Sequence, residues 1–189
     1  FMDLAALTWN GYKSCYYRTY MVGREPNQEQ KDIYAQALGW LYDSIKAVKV
    51  GVTTRDIASK WPSAKETWGY EEEDQAAANL WGHGLGLAQY DQPVISRIWS
   101  LDHPIEIKEG MVFALETQHG KTHQWGVRIE NLVLNVPATT PEGNTFAEML
   151  EFETLTQCPI DTRCIERSLL RTDEIDWLNA YHSMVRERL

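Results

Sequence analysis

Apolar positions between residues 28 and 50 fall three or four apart, at Ile33, Ala37, Leu41, Ile45 and Val48, before Gly51. That spacing puts them on one face of a helix, and glycine is a natural stop, so it predicts a helix over Gln28–Val50. Upstream, "MDLAALTWNGYKSCYYRTYMVG" has two β-rich arms around Asn10-Gly11 and predicts a hairpin. Downstream, "GVTTRDIASKW" predicts a second helix, capped by Thr53 or Thr54 and broken near Pro62. "EEEDQAAANLWG" predicts a third that ends at Gly82, with its acidic residues at the positive end of the dipole.

Beyond Gly82 strands dominate. "GHGLGLAQY", "GMVFALETQ" and "GVRIENLVLNV" predict strands punctuated by glycine. "ATTPEGNTF" reads as a polar loop, and the tail predicts a helix from Asp173 to Arg188. Thr172 is its expected cap, with Asp173 and Glu174 at the positive end and Arg186 and Arg188 at the negative end.

Composition narrows the function classes. The 189 residues, 43% hydrophobic and 24% charged, suit one globular domain with a real core. Against 27 Asp and Glu stand 18 Lys and Arg, a net charge of -9 that repels phosphate backbones, so nucleic acid is not an expected partner. No apolar run reaches membrane-spanning length and no secretory signal is visible, which predicts no membrane partner. Cys15, Cys158 and Cys164 are odd in number and unevenly spaced, unlike a disulfide framework, so a cytoplasmic location is expected. The chain starts at Phe1 on what reads as a strand already under way, as in a piece of a longer protein.

Candidate chemistry lies in the strands. His83 in "WGHGLG", Glu116 in "FALETQ" and Glu130 in "VRIENL" have apolar or glycine neighbours, where an ionised carboxylate is costly unless paired or bound to metal. With Asp3 on the opening strand they make an oxygen-rich set with one nitrogen, suited to manganese, iron, cobalt or zinc. By spacing alone, such a histidine is more often a core or turn residue than a ligand, and a strand carboxylate more often a solvent-facing group. His119 and His123, with Gly120 between them, read as solvated turn residues.

The strings "GHGLGLAQYDQPVIS", "IKEGMVFALETQHG" and "WGVRIENLVL" resemble, in order and spacing, the catalytic half of the pita-bread metallopeptidases, a family that includes methionine aminopeptidase, prolidase and aminopeptidase P. The tail from Phe152 is similar to the C-terminal extension of the longer aminopeptidase P enzymes. The resemblance implies an α+β pita-bread fold, a curved antiparallel sheet with helices on its outer face, shortened at the N-terminus. It divides the chain into a catalytic part over 1–152 and an extension over 153–189. It implies hydrolysis of peptides with proline in the second position, and one or two divalent ions, manganese first, with zinc, iron or cobalt as alternatives. His83, Glu116, Glu130 and Asp3 become metal ligands, Glu116 also the proton carrier, and Arg128, two residues before Glu130 on the same strand face, either the residue that fixes a carboxylate or a partner in an ordinary strand ion pair. A homodimer and a need for a preceding segment are further expectations, and without that segment the isolated chain is expected to be unstable.

Two positions depart from the family pattern. Counting back from Arg18-Thr19, the second ligand aspartate falls on Cys15, which reads either as a thiolate ligand or as a small buried apolar residue. The first aspartate position falls on Asp3 if the hairpin holds one extra residue, and on Leu4 otherwise. Tyr90 stands where the family has a second histidine; it reads as a hydrogen-bond donor to a developing oxyanion or as an aromatic packed on the sheet. Hence two alternatives accompany the aminopeptidase reading: an inactive pita-bread binding module, and a relative that cleaves other C–N or C–S bonds.

Overall fold

A computed structural model of the chain describes residues 2–3, 7–47, 51–76, 81–139 and 150–189, with the backbone alone at residues 2, 3, 7 and 9. Leu4, Val48 and most of the predicted "ATTPEGNTF" loop lie outside the described residues.

Two short antiparallel pairs open the chain: β1 (Met2–Asp3) with β4 (Tyr17–Arg18), and β2 (Leu7–Trp9) with β3 (Tyr12–Ser14). Trp9 faces Tyr12 across a two-residue turn in which Asn10 and Gly11 have φ of 49° and 90°. Those positive values are what a type I′ turn demands, and they bear out the hairpin. The two pairings are one residue out of step. Asp3 lies opposite Tyr17 and Leu7 opposite Ser14, so three positions on the first arm answer two on the second.

Helix α1 (Gln28–Lys46) starts at a capping box: Asn27 Oδ1 accepts from Gln30 N–H at 2.9 Å and Gln30 Oε1 from Asn27 N–H at 3.0 Å. It ends short of the predicted Val50, where Ala47 N–H bonds to the Ser44 carbonyl and tightens the last turn. Tyr34, Ala37, Leu38 and Leu41 on its inner face are fully buried. Each leucine contributes about 1.5–3 kcal/mol by leaving water. Helix α2 (Thr54–Ala58) is capped at Thr53, whose N–H and Oγ1 both donate to Asp56 Oδ2 at 2.7 Å. Past Pro62 a further short helix, α3 (Ala64–Trp68), starts at Ser63, which the sequence reading had not separated. Within the predicted third helix the described residues hold a 3₁₀ turn, Glu73–Ala76, and residues 77–80 lie outside the described set.

The main sheet is antiparallel throughout, in the order β6-β5-β7-β8-β9, from β5 (Gly82–Gly84), β6 (Asp91–Ile95), β7 (Val112–Lys121), β8 (Trp125–Pro137) and β9 (Leu150–Thr154). The strand predicted to run from Gly82 through Tyr90 stops at Gly84, and residues 86–90 are a series of bends. The pairing of β5 with β6 slips by a bulge between His83 and Gly84, which turns the chain away. Helix α4 (Arg97–Ser100) follows β6.

Alternation along β7 and β8 sorts the sheet into two faces. Phe113, Leu115, Ile129 and Val133 join the main core with α1, and Thr117 Oγ1 donates to the Ala37 carbonyl at 2.7 Å. Ala114 and Leu132, on the opposite face, pack with Cys15. The tail adds β9 to the sheet and ends in α5 (Thr172–Arg188), which packs against α1. Thr172 is the first residue of that helix and Arg171 occupies the cap, because Glu174 Oε2 reaches back to the Arg171 N–H at 2.8 Å. Among the described residues no helix is long and apolar enough to cross a membrane, and the three cysteines are free thiols.

Candidate metal centre

Strand register alone brings the carboxylates together. Glu116 on β7 is the direct partner of Glu130 on β8, and His83 on β5 is the partner of Ala114, two residues before Glu116 on the same face. Cys15, between β3 and β4, is laid over that face. His83, Glu116, Glu130 and Cys15 are 1–3% exposed. The donor atoms of Cys15, His83 and Glu130 lie within 4.8 Å of one another.

Each side chain is held by a partner. His83 Nδ1 donates to the Gly84 carbonyl at 2.8 Å, since a carbonyl can only accept, and this leaves the Nε2 lone pair facing the site, 3.7 Å from Glu116 Oε1. Burial holds the imidazole below its usual pKa, against the pull of that hydrogen bond, so it is neutral near pH 7. Arg128 Nη2 binds Glu116 Oε2 at 2.7 Å, and the Arg128 guanidinium lies 4.2 Å from the Tyr17 ring centre. The Cys15 thiol donates to Glu130 Oε1 at 3.0 Å. Burial, then the negative charge of Glu130, raises the thiol pKa far above its ordinary value, so without a cation it stays protonated. Gln89, which the sequence reading passed over, also hydrogen-bonds Cys15 and works in the opposite direction.

Glycine at 84 is a backbone requirement: a Cβ there would stand 2.2 Å from the Gln92 carbonyl oxygen. A Cβ at Gly82 would meet the Ala114 carbonyl at 3.0 Å. Strand β6 therefore comes close at His83.

Tyr90 lies outside any strand. It is 63% exposed, and its ring centre is 4.6 Å from that of His83. It covers the imidazole from the solvent side rather than packing on the sheet. His119 is not a solvated turn residue: it sits in β7, half-buried between Trp40 and Trp68. His123 does lie in the turn, with φ of 60°, and is exposed. Asp3 pairs by backbone with Tyr17, and its side chain lies outside the described residues.

The Arg18-Thr19 pair fastens the hairpin to the sheet. Thr19 Oγ1 donates to the Arg128 carbonyl at 3.0 Å and accepts from the Arg128 N–H at 2.9 Å. Arg18 is fully buried and donates to the carbonyls of Glu130, Tyr17 and Cys158, to Asn131 Oδ1 at 2.7 Å and to the Tyr181 hydroxyl at 2.6 Å. Hairpin, sheet, tail and α5 thus meet on one guanidinium, which holds the main chain of Glu130 through its carbonyl. Adjacency in sequence carried no sign of this role.

Residues 1–136 match the model of metallopeptidase family M24, and residues 148–189 that of the C-terminal region of peptidase M24. Aminopeptidase P2 of Arabidopsis thaliana is 34% identical over 137 residues, 65% of this chain and 19% of the plant protein. The Xaa-Pro dipeptidase of Pyrococcus furiosus is 36% identical over 133 residues, 70% of this chain and 36% of that protein. The fold matches the X-prolyl aminopeptidase from Caenorhabditis elegans, described as a cytosolic enzyme with a di-nuclear active site, with a TM-score of 0.70 over 92% of this chain and 27% of that one, at 24% identity. It also matches the prolidase from Pyrococcus furiosus, with a TM-score of 0.56 and 29% identity over 79% of this chain and 39% of that one. The chain therefore spans well under half the length of these relatives. The expected α+β pita-bread architecture is borne out, and the chain belongs to metallopeptidase family M24.

Proposed function

We propose that this chain is part of a metal-dependent peptidase that removes an N-terminal residue preceding proline. The observation that carries the reading is the buried convergence of His83, Glu116, Glu130 and Cys15 on one sheet face, in a chain related to Xaa-Pro aminopeptidases and dipeptidases. The donors fit a divalent ion: a neutral imidazole with its lone pair aimed inward, two carboxylates and a sulfur. His83, Glu116 and Glu130 would hold the ion with Cys15, and Asp3 on β1 would add a ligand. Among manganese, zinc, iron and cobalt, the Cys15 sulfur weighs against manganese. When bound, such an ion supplies Lewis acidity and lowers the pKa of water.

The protein's own groups then divide the work. Arg128 immobilises Glu116 Oε2, so Oε1 is the atom placed to take a proton and pass it to the departing amine. The Gly84 carbonyl fixes the tautomer and tilt of His83. Tyr90 keeps its proton, because burial raises its pKa, and can donate it in a hydrogen bond to the developing oxyanion. The Tyr90 ring also shields His83 from water.

The test is hydrolysis of an Xaa-Pro peptide by the metal-loaded protein, with chelator and Glu116→Ala as controls. Metal-dependent release of the N-terminal residue, abolished by Glu116→Ala, is the expected result. Metal bound without any hydrolysis would leave a binding module in its place.

A further inference from the structure

We propose that Cys15, His83 and Glu130 form a mixed sulfur–nitrogen–oxygen site for a single thiophilic divalent ion of the zinc or iron(II) class. The proposal rests on the reading of this sheet face as a metal centre and specifies which ion it takes, and how many.

Three observations carry it. First, the three donor atoms already lie within 4.8 Å of one another. Bonds of about 2.0 Å to nitrogen and oxygen and about 2.3 Å to sulfur put ligand atoms roughly 3.3–3.5 Å apart around a tetrahedral ion. Small rotations of buried side chains close the difference. Second, the geometry around the donors is set for coordination: Gly84 orients His83 Nε2 inward, and the Cys15 sulfur is already 3.0 Å from Glu130 Oε1. Third, the charges close with one ion. Among the described residues, Glu116 is matched by Arg128 at 2.7 Å, so one divalent ion faces the carboxylate of Glu130 and a thiolate at Cys15. Even with the carboxylate of Asp3 counted, a second ion would leave net positive charge in a buried pocket, which is costly. On binding, the S–H bond of Cys15 breaks, its electron pair forms the bond to the ion, and the proton leaves to solvent.

Sulfur is a softer donor than a carboxylate oxygen and shifts selectivity from manganese towards zinc and iron. Every site prefers zinc over manganese to some degree, so the decisive quantity is how Cys15 changes that ratio.

The test uses the metal-free full chain titrated with cobalt(II) and zinc. A near-ultraviolet sulfur-to-cobalt charge-transfer band that saturates at one equivalent, and disappears when zinc is added, is expected. Cys15→Ser should abolish the band and weaken zinc binding by at least the roughly 10–100-fold that follows loss of an outer partner of a ligand. Cys15→Asp should narrow the zinc-to-manganese affinity ratio at least tenfold. Should these variants fail to fold, zinc-edge X-ray absorption on the unaltered protein reads the same point, with one sulfur at about 2.3 Å expected. Cobalt binding without the band, a band untouched by Cys15→Ser, saturation at two equivalents, or a zinc shell without sulfur would overturn the proposal. Peptide hydrolysis by such a sulfur-free centre would leave the peptidase reading standing, whereas a sulfur-ligated ion without hydrolysis would remove only that reading.

Discussion

Glu116 and Glu130 stand directly opposite each other on β7 and β8, in the register that also sets Gln118 against Arg128. Like charges in that arrangement repel. The repulsion is relieved on one side by Arg128, which reaches diagonally to Glu116, and on the other by the Cys15 thiol. A cation between the carboxylates should therefore stabilise the fold. At a free ion concentration of 100 times Kd, loading is expected to add about 2.7 kcal/mol to the unfolding free energy. Urea denaturation with zinc and with chelator measures it, and Glu130→Gln should lose most of the gain. Equal midpoints with and without the ion would contradict the assignment.

Arg18 should be among the most sensitive positions in the chain. Arg18→Ala strips the donor from the Glu130 carbonyl and from Asn131 Oδ1, whereas the Cys158 carbonyl keeps the Tyr181 hydroxyl at 2.6 Å. At about 1–3 kcal/mol for each buried acceptor left unsatisfied, the loss reaches roughly 2–6 kcal/mol. Arg18→Lys should recover only part, because an ammonium cannot span the same fork of acceptors. Denaturant midpoints decide; a loss under 1 kcal/mol for the alanine variant would show that water replaces the guanidinium.

Backbone proximity makes a sharper test at the glycines beside His83. Gly84→Ala forces a methyl group to within 2.2 Å of the Gln92 carbonyl oxygen, whereas a Cβ at Gly86 meets nothing within 4 Å. Gly84→Ala should cost about 3 kcal/mol and weaken metal binding by moving His83, while Gly86→Ala stays within about 0.5 kcal/mol of the parent. Similar melts for the two variants would mean that β5 and β6 can part without cost.

Acid should destabilise the metal-free protein early. Burial holds His83, His119 and His182 below the ordinary value of 6.5. The unfolded chain then binds more protons than the folded one between the lowered values and 6.5, so this stability is fully present above pH 6.5 and lost as pH falls below it. A second loss follows below the ordinary Asp value of 3.8: burial pushes Asp161 up, but Arg163 holds its carboxyl lower overall. Urea midpoints from pH 8 to pH 5 should fall mainly below 6.5; a flat profile would show that the imidazoles take up protons as readily in the fold as in the unfolded chain.

Tyr90→Phe separates two roles of one ring. The ring contact with His83 survives the change and the side chain is largely exposed, so folding should be unaltered. If the hydroxyl donates to the oxyanion, kcat on an Xaa-Pro peptide should drop about 10²-fold with KM nearly constant. An unchanged kcat would reduce Tyr90 to a cover over the imidazole.

Local rules settled much of this protein in advance. Asn10-Gly11 dictated its turn because few residues tolerate positive φ in succession. The apolar face of α1 and the alternation of β7 and β8 followed from side-chain period, and burial of Ala37, Leu41, Phe113 and Leu115 matches it. The likeness of three short strings and a tail to one family was equally legible. Tertiary structure decided the rest. Strand β5 ends at Gly84 because β6 approaches its backbone, and His119 is half-buried because Trp40 and Trp68 close over it, neither of which a window of neighbouring residues can reveal. Arg18 served in the sequence only to mark a pattern, and its acceptors come from β8, the tail at Cys158 and α5. Above all, Cys15 lies 115 positions from Glu130, and only the folding of the hairpin onto β8 places sulfur against carboxylate. Periodicity fixes which face a side chain takes within its own element, whereas the chemistry of this site depends on contacts between elements, and those are set by packing.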